Sequence, residues 1–432
     1  MISNWLSAAL ARRNIHYGWA MVAVTFFTAL VSAGTVGAPG VFIVPLQKEF
    51  GWSTAEISSA LSIRFILFGL IAPFAAALLN RYGLRNMTLT ALLVVVSGLV
   101  ASLFMTQVWQ LMLLWGVVIG LGTGMTALVL GATIAARWFA ARRGLVVGIL
   151  TASVATGQLV FLPLVATLTD HYGWRIALAL ICVMLAVAAF AVLMIMRDRP
   201  SDLGLRPFGD TGTEPIAAPP PNNAPIVAAA LGTLRDASKS SVFWILFGTF
   251  FICGASTAGL IQVHLIPMCL DFGIPQVQAA SLLAAMGVFD FVGTIASGWL
   301  SDRYDNRWLL FWYYGLRGLS LLFLPFTDFS FYGLSVFALF YGLDWIATVP
   351  PTVRLTAQRF GPERANLVFG WIFAGHQLGA GVAAFGAGLS RTIYATYLPA
   401  FFVAGALCIV AALITLLISR PAPKPAPALA TA

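Results

Sequence analysis

Residues 79–85, LNRYGLR, return 222 positions later as SDRYDNR at residues 301–307 of a 432-residue chain. Other stretches repeat with the same offset, without gaps, in loops and apolar segments alike. The matched pairs include Pro45 with Pro267, Gly120 with Gly342, Arg137 with Arg359 and Arg142 with Arg364. A constant register over about 100 residues indicates two copies of one structural unit.

Each copy is dominated by apolar segments long enough to cross a bilayer. The chain is 60% hydrophobic and 9% charged, whereas soluble domains carry about 25% charged residues. Apolar stretches of about 20 residues span a membrane, and inside lipid they must be helical to satisfy their backbone groups. The expected spans lie near residues 17–40, 54–79, 87–106, 109–136, 144–168 and 175–196, and then near 241–267, 276–300, 308–326, 331–355, 365–389 and 396–419.

Six spans return the chain to the side from which it started, so the two copies have parallel topology. We therefore predict an all-α membrane protein with twelve transmembrane helices in two parallel six-helix halves. The halves are expected at residues 1–200 and 241–420, joined by a cytoplasmic linker at 201–240 with a Pro-rich stretch typical of flexible connectors. Residues 421–432 are expected to form a disordered cytoplasmic tail.

The net charge of +9 would suit a nucleic-acid-binding protein, but its distribution favours a membrane protein. Nearly all Lys and Arg residues fall on one side of the predicted topology, whereas Lys48, Arg175 and Arg391 fall on the other. This bias predicts that both termini are cytoplasmic. We expect a monomer that lies in the lipid bilayer of a bacterial inner membrane. We do not expect it to bind nucleic acid.

The sequence shows no motif for enzyme chemistry. A P-loop, an HExxH motif, clustered histidines and a GxSxG motif are all missing, so neither ATP hydrolysis nor membrane-enzyme activity is indicated. The four cysteines lie inside apolar runs without metal-ligand or redox spacing, as expected for packed thiols. No cofactor and no metal site are expected.

Two loops carry a family resemblance. Residues 80–85 and 298–307, which follow the second and eighth spans, resemble the signature loop of the major facilitator superfamily. Residues 17–19, YGW, and 137–148, RWFAARRGLVVG, resemble the monocarboxylate and oxalate:formate porter branch. The resemblance assigns gating roles to the loop residues Asn80, Arg81, Arg85, Asp302, Arg303 and Arg307. Asn80 departs from the family pattern, which has an aspartate there.

Carboxylate recognition does not carry over directly from that branch. Its members place an Asp and an Arg one helical turn apart in span 8, and the arginine holds the substrate carboxylate. Here Asp290 fits the aspartate position, but Thr294 stands where the arginine is expected. Gly37 stands near the position of a span 1 lysine in animal members.

The repeat also shows where the two halves differ. Ionisable residues at membrane depth are rare and usually functional, and those that one half lacks are candidates for substrate chemistry. These residues, each followed by its repeat partner, are Arg64 with Met286, Asp290 with Phe68, Arg317 with Val95, Asp344 with Gly122, His376 with Val154 and His264 with Phe42.

Arg64 and His376 are expected near mid-bilayer in spans 2 and 11, which face each other in the superfamily. One hypothesis has Arg64, His376 and Gln377 flanking a central anion site, with Arg64 as a permanent forked donor. The alternative is that Arg64 forms a structural pair or a gate between the halves.

The remaining charges have two interpretations each. Arg317 and Asp344 are expected at similar depth on spans 9 and 10, where they would form a buried ion pair, unless Asp344 faces the substrate cavity. Asp290 is the first candidate for a proton-carrying carboxylate, and His264 is the second. Both could instead be hydrogen-bonded packing residues.

These features predict a secondary transporter of a small organic anion, in particular a carboxylate, driven by proton symport or by exchange. The alternative is a major facilitator exporter of drugs or metabolites. Alternating access would come from the two halves rocking about a site at mid-depth.

Overall fold

The computed structural model describes residues 2–125, 129–211, 226–327 and 329–419. Within these ranges the chain forms helices and turns, with one isolated β-bridge between Phe139 and Phe208. Ten helices are long and apolar enough to cross a membrane. Two shorter apolar stretches, Val108–Gly124 and Leu159–Tyr172, belong to the two remaining spans. This is the all-helical, twelve-span architecture expected from the repeat.

The N-terminal half contains spans 1 to 6, preceded by a short helix, Ile2–Ala11. Span 1 comprises Gly18–Gly37 and Pro39–Phe50, span 2 is Thr54–Tyr82, and span 3 is Leu84–Ser102. Span 4 has four parts, which are Val108–Leu111, the π-helical segment Met112–Val118, Ile119–Gly124 and Val129–Trp138. Span 5 is Arg143–Tyr172, and span 6 is Trp174–Ile195.

The C-terminal half contains spans 7 to 12. Span 7 has three parts, which are Ser241–Gly254, the π-helical segment Ala255–Ile261 and Gln262–Asp271. Span 8 is Gln276–Ser301, and span 9 is Asn306–Phe323 followed by the 3₁₀ turn Leu324–Phe326. Span 10 comprises Phe331–Asp344 and Val349–Phe360, span 11 is Pro362–Tyr394, and span 12 is Leu398–Thr415.

Span 3 begins at Leu84, three residues before the start expected from the sequence. The Asp198 carboxylate explains the early start, because its Oδ1 accepts a hydrogen bond from the Arg85 amide at 2.9 Å and so caps the helix. Gly83 makes the turn with φ of 84°, and a Cβ there would collide with the same carboxylate. Asp305 caps span 9 in the second copy, accepting from the Arg307 amide at 3.0 Å.

Spans 2 and 11 join the two halves along most of their length. At one end the Ala55 amide donates to Thr392 Oγ1 at 3.1 Å, and Ser58 lies directly against Gly388. At the other end Pro73 packs on Gly370. Small residues at these crossings let the two helices approach closely, as is common where membrane helices pack.

The described parts of the predicted linker pack on the helical halves. A helix at Ile226–Ala237 contacts both span 2 and span 11, and the Trp371 indole donates to Ala230 O at 3.0 Å. The Pro-rich stretch 217–223 and the tail 421–432 lie outside the described residues. The domain boundaries at 200 and 240 stay a prediction.

Close backbone contact between spans 7 and 11 makes Gly379 sensitive to substitution. A Cβ at Gly379 would meet the Phe251 carbonyl oxygen at 1.9 Å, whereas a Cβ at Gly386 of the same helix meets nothing within 4 Å. We expect Gly379→Ala to lower the free energy of unfolding by about 1–3 kcal/mol through overpacking. Thermal unfolding in detergent measures this, with Gly386→Ala as the matched control. Equal midpoints for the two variants would contradict the packing described here.

Candidate functional site

Span 10 is interrupted in the middle of the C-terminal half. Its first helix ends at Asp344 and its second begins at Val349; we call residues 345–348 the span 10 break. Pro350 and Pro351 follow directly. Because proline has no amide hydrogen, the carbonyls four residues earlier, at Ile346 and Ala347, lose their usual helical donors. Inside lipid such groups must find partners within the protein.

Side chains of span 8 and the local backbone supply those partners. Ser297 Oγ donates to Ala347 O at 2.5 Å, and the Val349 amide donates to Ile346 O at 2.8 Å. The Ile346 amide, which the break also releases, donates to Asp290 Oδ1 at 2.8 Å. Thr294 Oγ1 donates to the same carboxylate oxygen at 3.0 Å. Asp290 and Thr294 therefore face span 10.

Arg317 of span 9 holds the other side of the break. It is 1% exposed, and its Nε donates to Asp344 Oδ2 at 2.7 Å. Its Nη2 donates to the backbone carbonyls of Asp344 and Trp345, the latter at 3.1 Å, and its Nη1 donates to Cys253 Sγ at 3.0 Å. Arg317 thus combines a buried ion pair with support of the broken backbone.

Asp344 is buried too, and its second oxygen is different. Asp344 is 9% exposed, and its Oδ1 has no hydrogen-bond partner among the described residues. Cys253, next to Arg317, shares a hydrogen bond of 3.3 Å with Thr348 of the span 10 break. Three of the charges that the N-terminal half lacks, Asp290, Arg317 and Asp344, therefore meet around one interruption in one helix.

Arg64 lies elsewhere, inside the N-terminal half. It is 5% exposed, and its Nη2 donates to Val36 O of span 1 at 3.1 Å. A small cavity of about 10 Å³, room for one water molecule, adjoins it. The cavity is lined by Arg64 and by residues of spans 1, 3, 4 and 6, namely Thr35, Ala38, Pro39, Phe42, Leu99, Trp115, Ile119, Leu178 and Ile181.

The charge of Arg64 has no acidic partner among the described residues. The sequence contains no Asp or Glu between Glu56 and Asp170, and the salt bridges among the described residues do not include Arg64. Arg317 is neutralised by Asp344, whereas Arg64 is a buried cation with one backbone hydrogen bond. Buried charges are normally paired. A bound anion would therefore give the Arg64 guanidinium the negative partner that it lacks among the described residues.

The structure does not bring Arg64 and His376 together. The His376 ring packs between Phe250 and Phe373 within the C-terminal half, with ring centroids 4.9 and 5.7 Å away. The neighbouring Gln377 points the other way, towards Gly69 of span 2. Gln377 is 5% exposed, and its Oε1 has no hydrogen-bond partner within the described ranges. Gln377, rather than His376, faces the seam between the halves.

His264 links spans 7 and 11 within one half. Its Nε2 donates to Ala384 O at 2.9 Å, which requires the proton to be on Nε2. The ring lies 5.1 Å from the Tyr397 ring, centroid to centroid. These contacts give His264 a packing role in this structure.

The arginines of the signature loops hold helix ends. Arg85 donates through Nε and Nη2 to Leu193 O of span 6, at 3.2 and 2.6 Å. Arg307 donates to Ile418 O, just after span 12, at 3.0 Å, so the two copies use this arginine alike. The remaining predicted loop residues make these contacts: Arg81 lies over the Tyr82 ring, Arg303 lies over the Trp299 ring, and Asp302 pairs with Arg354. The Asn80 side chain lies outside the described residues.

Two further ion pairs lie at the opposite ends of the spans, and their acidic residues, though not their arginines, are repeat equivalents. Glu49 pairs with Arg175 at 2.5 Å and Asp271, its repeat equivalent, pairs with Arg391 at 2.8 Å. Glu49 Oε2 also accepts a hydrogen bond from the Trp174 indole at 2.6 Å.

Twelve spans in two parallel repeats, with unshared charges at mid-depth, define a membrane transporter. A family model described as Major Facilitator Superfamily matches residues 25–384 and, again, residues 265–432. The chain belongs to the Major Facilitator Superfamily. The predictions of this family and of a transport protein rather than an enzyme are confirmed.

Similar proteins support the expected branch. Monocarboxylate transporter 13 of Bos taurus is 27% identical over 396 residues, which cover 90% of this chain and 86% of that protein. The uncharacterized MFS-type transporter YcxA of Bacillus subtilis (strain 168) is 24% identical, covering 86% and 88%. A crystal structure of a variant of the nucleoside transporter NupG has the same fold, with a TM-score of 0.76 at 10% identity, covering 94% of this chain and 100% of that one.

The geometry of Arg317 and Asp344 predicts a specific pattern of stabilities. Removing one partner of a buried pair costs about 3–5 kcal/mol, so Arg317→Met and Asp344→Leu should each lower the unfolding temperature. The double variant should be more stable than Arg317→Met alone, yet less stable than the wild type, because two backbone carbonyls still lack their donor.

Thermal unfolding of the purified variants measures this pattern. Lys239→Met is the control, since Lys239 forms an exposed pair with Asp236, and exposed pairs contribute about 0–1 kcal/mol. A double variant that loses as much stability as both single variants added together would contradict the pairing.

Proposed function

We propose that the protein is a secondary transporter of a small organic anion, in particular a monocarboxylate. The observation that carries this proposal is Arg64, a guanidinium that is buried beside a cavity and has no acidic partner in the part of the chain that the structure describes. A substrate carboxylate can accept two parallel hydrogen bonds from a guanidinium and neutralise its charge. An intramembrane ionisable residue is a functional hypothesis by default.

The monocarboxylate transporters among the relatives support the anionic substrate, but the anion contact is proposed in a different place. Thr294, which stands where that branch has its arginine, donates to Asp290 and lies beside span 10. Arg64 of the opposite half is the proposed replacement. The cavity has room for about one water molecule, so Phe42, Leu99 and Trp115 would have to move apart before they could contact the apolar part of such an acid.

Residues of the C-terminal half would complete the site. Gln377 faces span 2, and its amide oxygen has no hydrogen-bond partner among the residues that the structure describes, which makes it the first candidate for a second polar contact to the substrate. The further candidates are His376, one residue away, and Asp344, whose Oδ1 accepts no hydrogen bond from the described residues. For these groups to meet a substrate held by Arg64, the two halves would have to rock apart.

Proton symport or exchange is the proposed source of energy. Asp290 is the first candidate proton carrier and His264 is the second, and the buried Asp344 carboxylate is a further candidate. The positive-inside bias supports cytoplasmic termini, and we propose a monomer in a bacterial inner membrane.

Substitution of Arg64 tests the substrate class. In liposomes containing purified protein, we expect uptake of labelled acetate, L-lactate or benzoate, and little uptake of the cation choline. Hydrogen bonds to charged groups contribute about 1.5–3 kcal/mol. Arg64→Ala should therefore raise the substrate concentration at half-maximal uptake by roughly tenfold to hundredfold. Arg64→Lys should give an intermediate value, because it keeps the charge and loses the fork.

Arg12→Ala serves as the control, since Arg12 is an exposed residue after the first short helix. Unchanged half-saturation in both Arg64 variants would exclude Arg64 as the anion contact. Uptake of choline but of none of the acids would overturn the substrate class itself.

Neutral variants of the two carboxylates test the coupling. If a carboxylate carries the proton, its Asn variant should still exchange labelled for unlabelled acid but should lose accumulation driven by a pH gradient. Asp290→Asn and Asp344→Asn are compared in the same liposomes. Accumulation that persists in both variants would contradict proton symport through these residues.

A further inference from the structure

We propose that a halide ion, chloride in particular, binds the Arg64 guanidinium when no organic acid is bound there, and that the acid has to displace it. This inference rests on the proposed role of Arg64 as the anion contact of the transporter. It gives the same arginine a second ligand of a different chemical class, one that fits the cavity as it stands in this structure.

The spans of the N-terminal half contain no carboxylate near Arg64 along the helices. The acidic residues of spans 1 to 6 all lie near the ends of their helices, namely Glu49, Glu56 and Asp170. In the C-terminal half, Asp344 is paired with Arg317, and Asp290 accepts from the Ile346 amide. In this conformation a counter-ion for Arg64 would therefore have to come from solution.

Most of the donors of Arg64 remain available to such an ion. A guanidinium carries five N–H donors, and Arg64 makes one hydrogen bond within the described residues, from Nη2 to Val36 O. A guanidinium is also weakly hydrated in comparison with an ammonium ion. A monatomic anion has no preferred bond direction, so it can accept from several of these N–H groups at once.

The cavity beside Arg64 matches a halide more closely than an organic acid. Its volume of about 10 Å³ has room for about one water molecule, and a chloride ion is only slightly larger than water. All of the lining residues belong to spans 1, 2, 3, 4 and 6 of the N-terminal half. One half alone can therefore enclose a halide, whereas an acid with a carbon chain requires the walls to move.

The walls of the cavity favour an anion that loses its water easily. The lining side chains other than Arg64 and Thr35 are apolar or aromatic. The Thr35 hydroxyl donates to Val31 O at 3.3 Å, and the Trp115 indole donates to Ser102 Oγ at 3.0 Å. Such walls cannot replace a hydration shell, and the penalty is largest for a strongly hydrated, divalent ion. The cavity should therefore accept chloride and bromide and exclude sulfate.

The C-terminal half provides a comparison through the repeat. Gly120 packs on the backbone of Arg64, and Gly342 packs on that of Met286, so the two halves keep the same register here. In the C-terminal half the cation is lost at the same place where bulkier side chains enter the wall, as expected if the space serves a ligand of the cation. The replacements, each 1% exposed, are Met286 for Arg64, Leu260 for Ala38 and Tyr341 for Ile119.

Thermal unfolding of the purified full-length protein tests halide binding without transport. Sodium chloride or sodium bromide replaces sodium sulfate at constant ionic strength and pH. Because sulfate stabilises proteins generally, the change in unfolding temperature is compared between variants. We expect the halides to favour the wild type over Arg64→Met by about 2–4 °C, since a ligand stabilises only the protein that binds it. Lys48→Met, which removes an exposed cation, is the matched control and should respond like the wild type.

Equal responses of the wild type and Arg64→Met would overturn the proposal. Crystals of the wild type grown in sodium bromide without any acid give a second measurement that needs no variant. We expect an anomalous bromine peak at hydrogen-bond distance from the Arg64 guanidinium. Bromide bound only elsewhere on the protein would overturn the proposal as well.

Competition in liposomes tests the displacement. Chloride at about ten times the concentration that gives half-maximal stabilisation should raise the benzoate concentration at half-maximal uptake about tenfold, with an unchanged maximal rate. A thermal response to chloride without this competition would overturn the displacement.

The same measurements separate this proposal from the proposed function. If Arg64→Ala weakens benzoate uptake while chloride changes neither stability nor uptake, the halide proposal fails and the proposed function stands. If the halide response is lost in Arg64→Met but the Arg64 variants take up acids with unchanged half-saturation, the halide site is supported and the proposed acid contact fails.

Discussion

The hydrogen bonds at the span 10 break are the interaction on which the C-terminal half depends. Lipid offers no water to an exposed amide or carbonyl, so a helix interrupted at Pro350 and Pro351 exists only if neighbouring helices supply donors and acceptors. Asp290 and Ser297 supply them from span 8, and Arg317 supplies them from span 9. The ion pair between Arg317 and Asp344 follows from this need, since a guanidinium brought in to bond carbonyls needs a counter-charge where it is buried.

The two halves therefore treat buried positive charge in opposite ways. In the C-terminal half, Arg317 is neutralised and its donors are directed at the protein's own backbone. In the N-terminal half, Arg64 makes one backbone hydrogen bond and has no acidic partner within the described ranges. The first arrangement stabilises one conformation of the protein. The second leaves binding capacity for an anion that enters from outside, and it supports the proposed assignment of substrate recognition to Arg64.

Much of this could be predicted from the sequence, and the reason lies in the repeat. Apolar runs predicted the spans, and the 222-residue offset identified the unshared charges. Equal depth on consecutive spans made an ion pair of Arg317 and Asp344 one of two interpretations, and the structure has that pair. Side-chain direction was harder. Ser62 and Gly69 face span 11, and Arg64, two residues after Ser62, is rotated by roughly 200° from it around the helix, so it points into its own half and away from His376. Ser297 was missed because a serine in a span carries no signal by itself. The signal lay in span 10, where Pro350 and Pro351 lack amide hydrogens, so two backbone carbonyls need donors from elsewhere.

The position of a bound acid can be observed directly. Crystals grown with 4-bromobenzoate would show the bromine by anomalous scattering and so locate the bound acid in the molecule. The account predicts a carboxylate at hydrogen-bond distance from the Arg64 guanidinium, about 2.7–2.9 Å, with the bromine towards the walls formed by Phe42, Leu99 and Trp115. An acid bound at Arg317 with the Asp344 pair broken, or bound with Arg64 still bonded only to Val36, would contradict it.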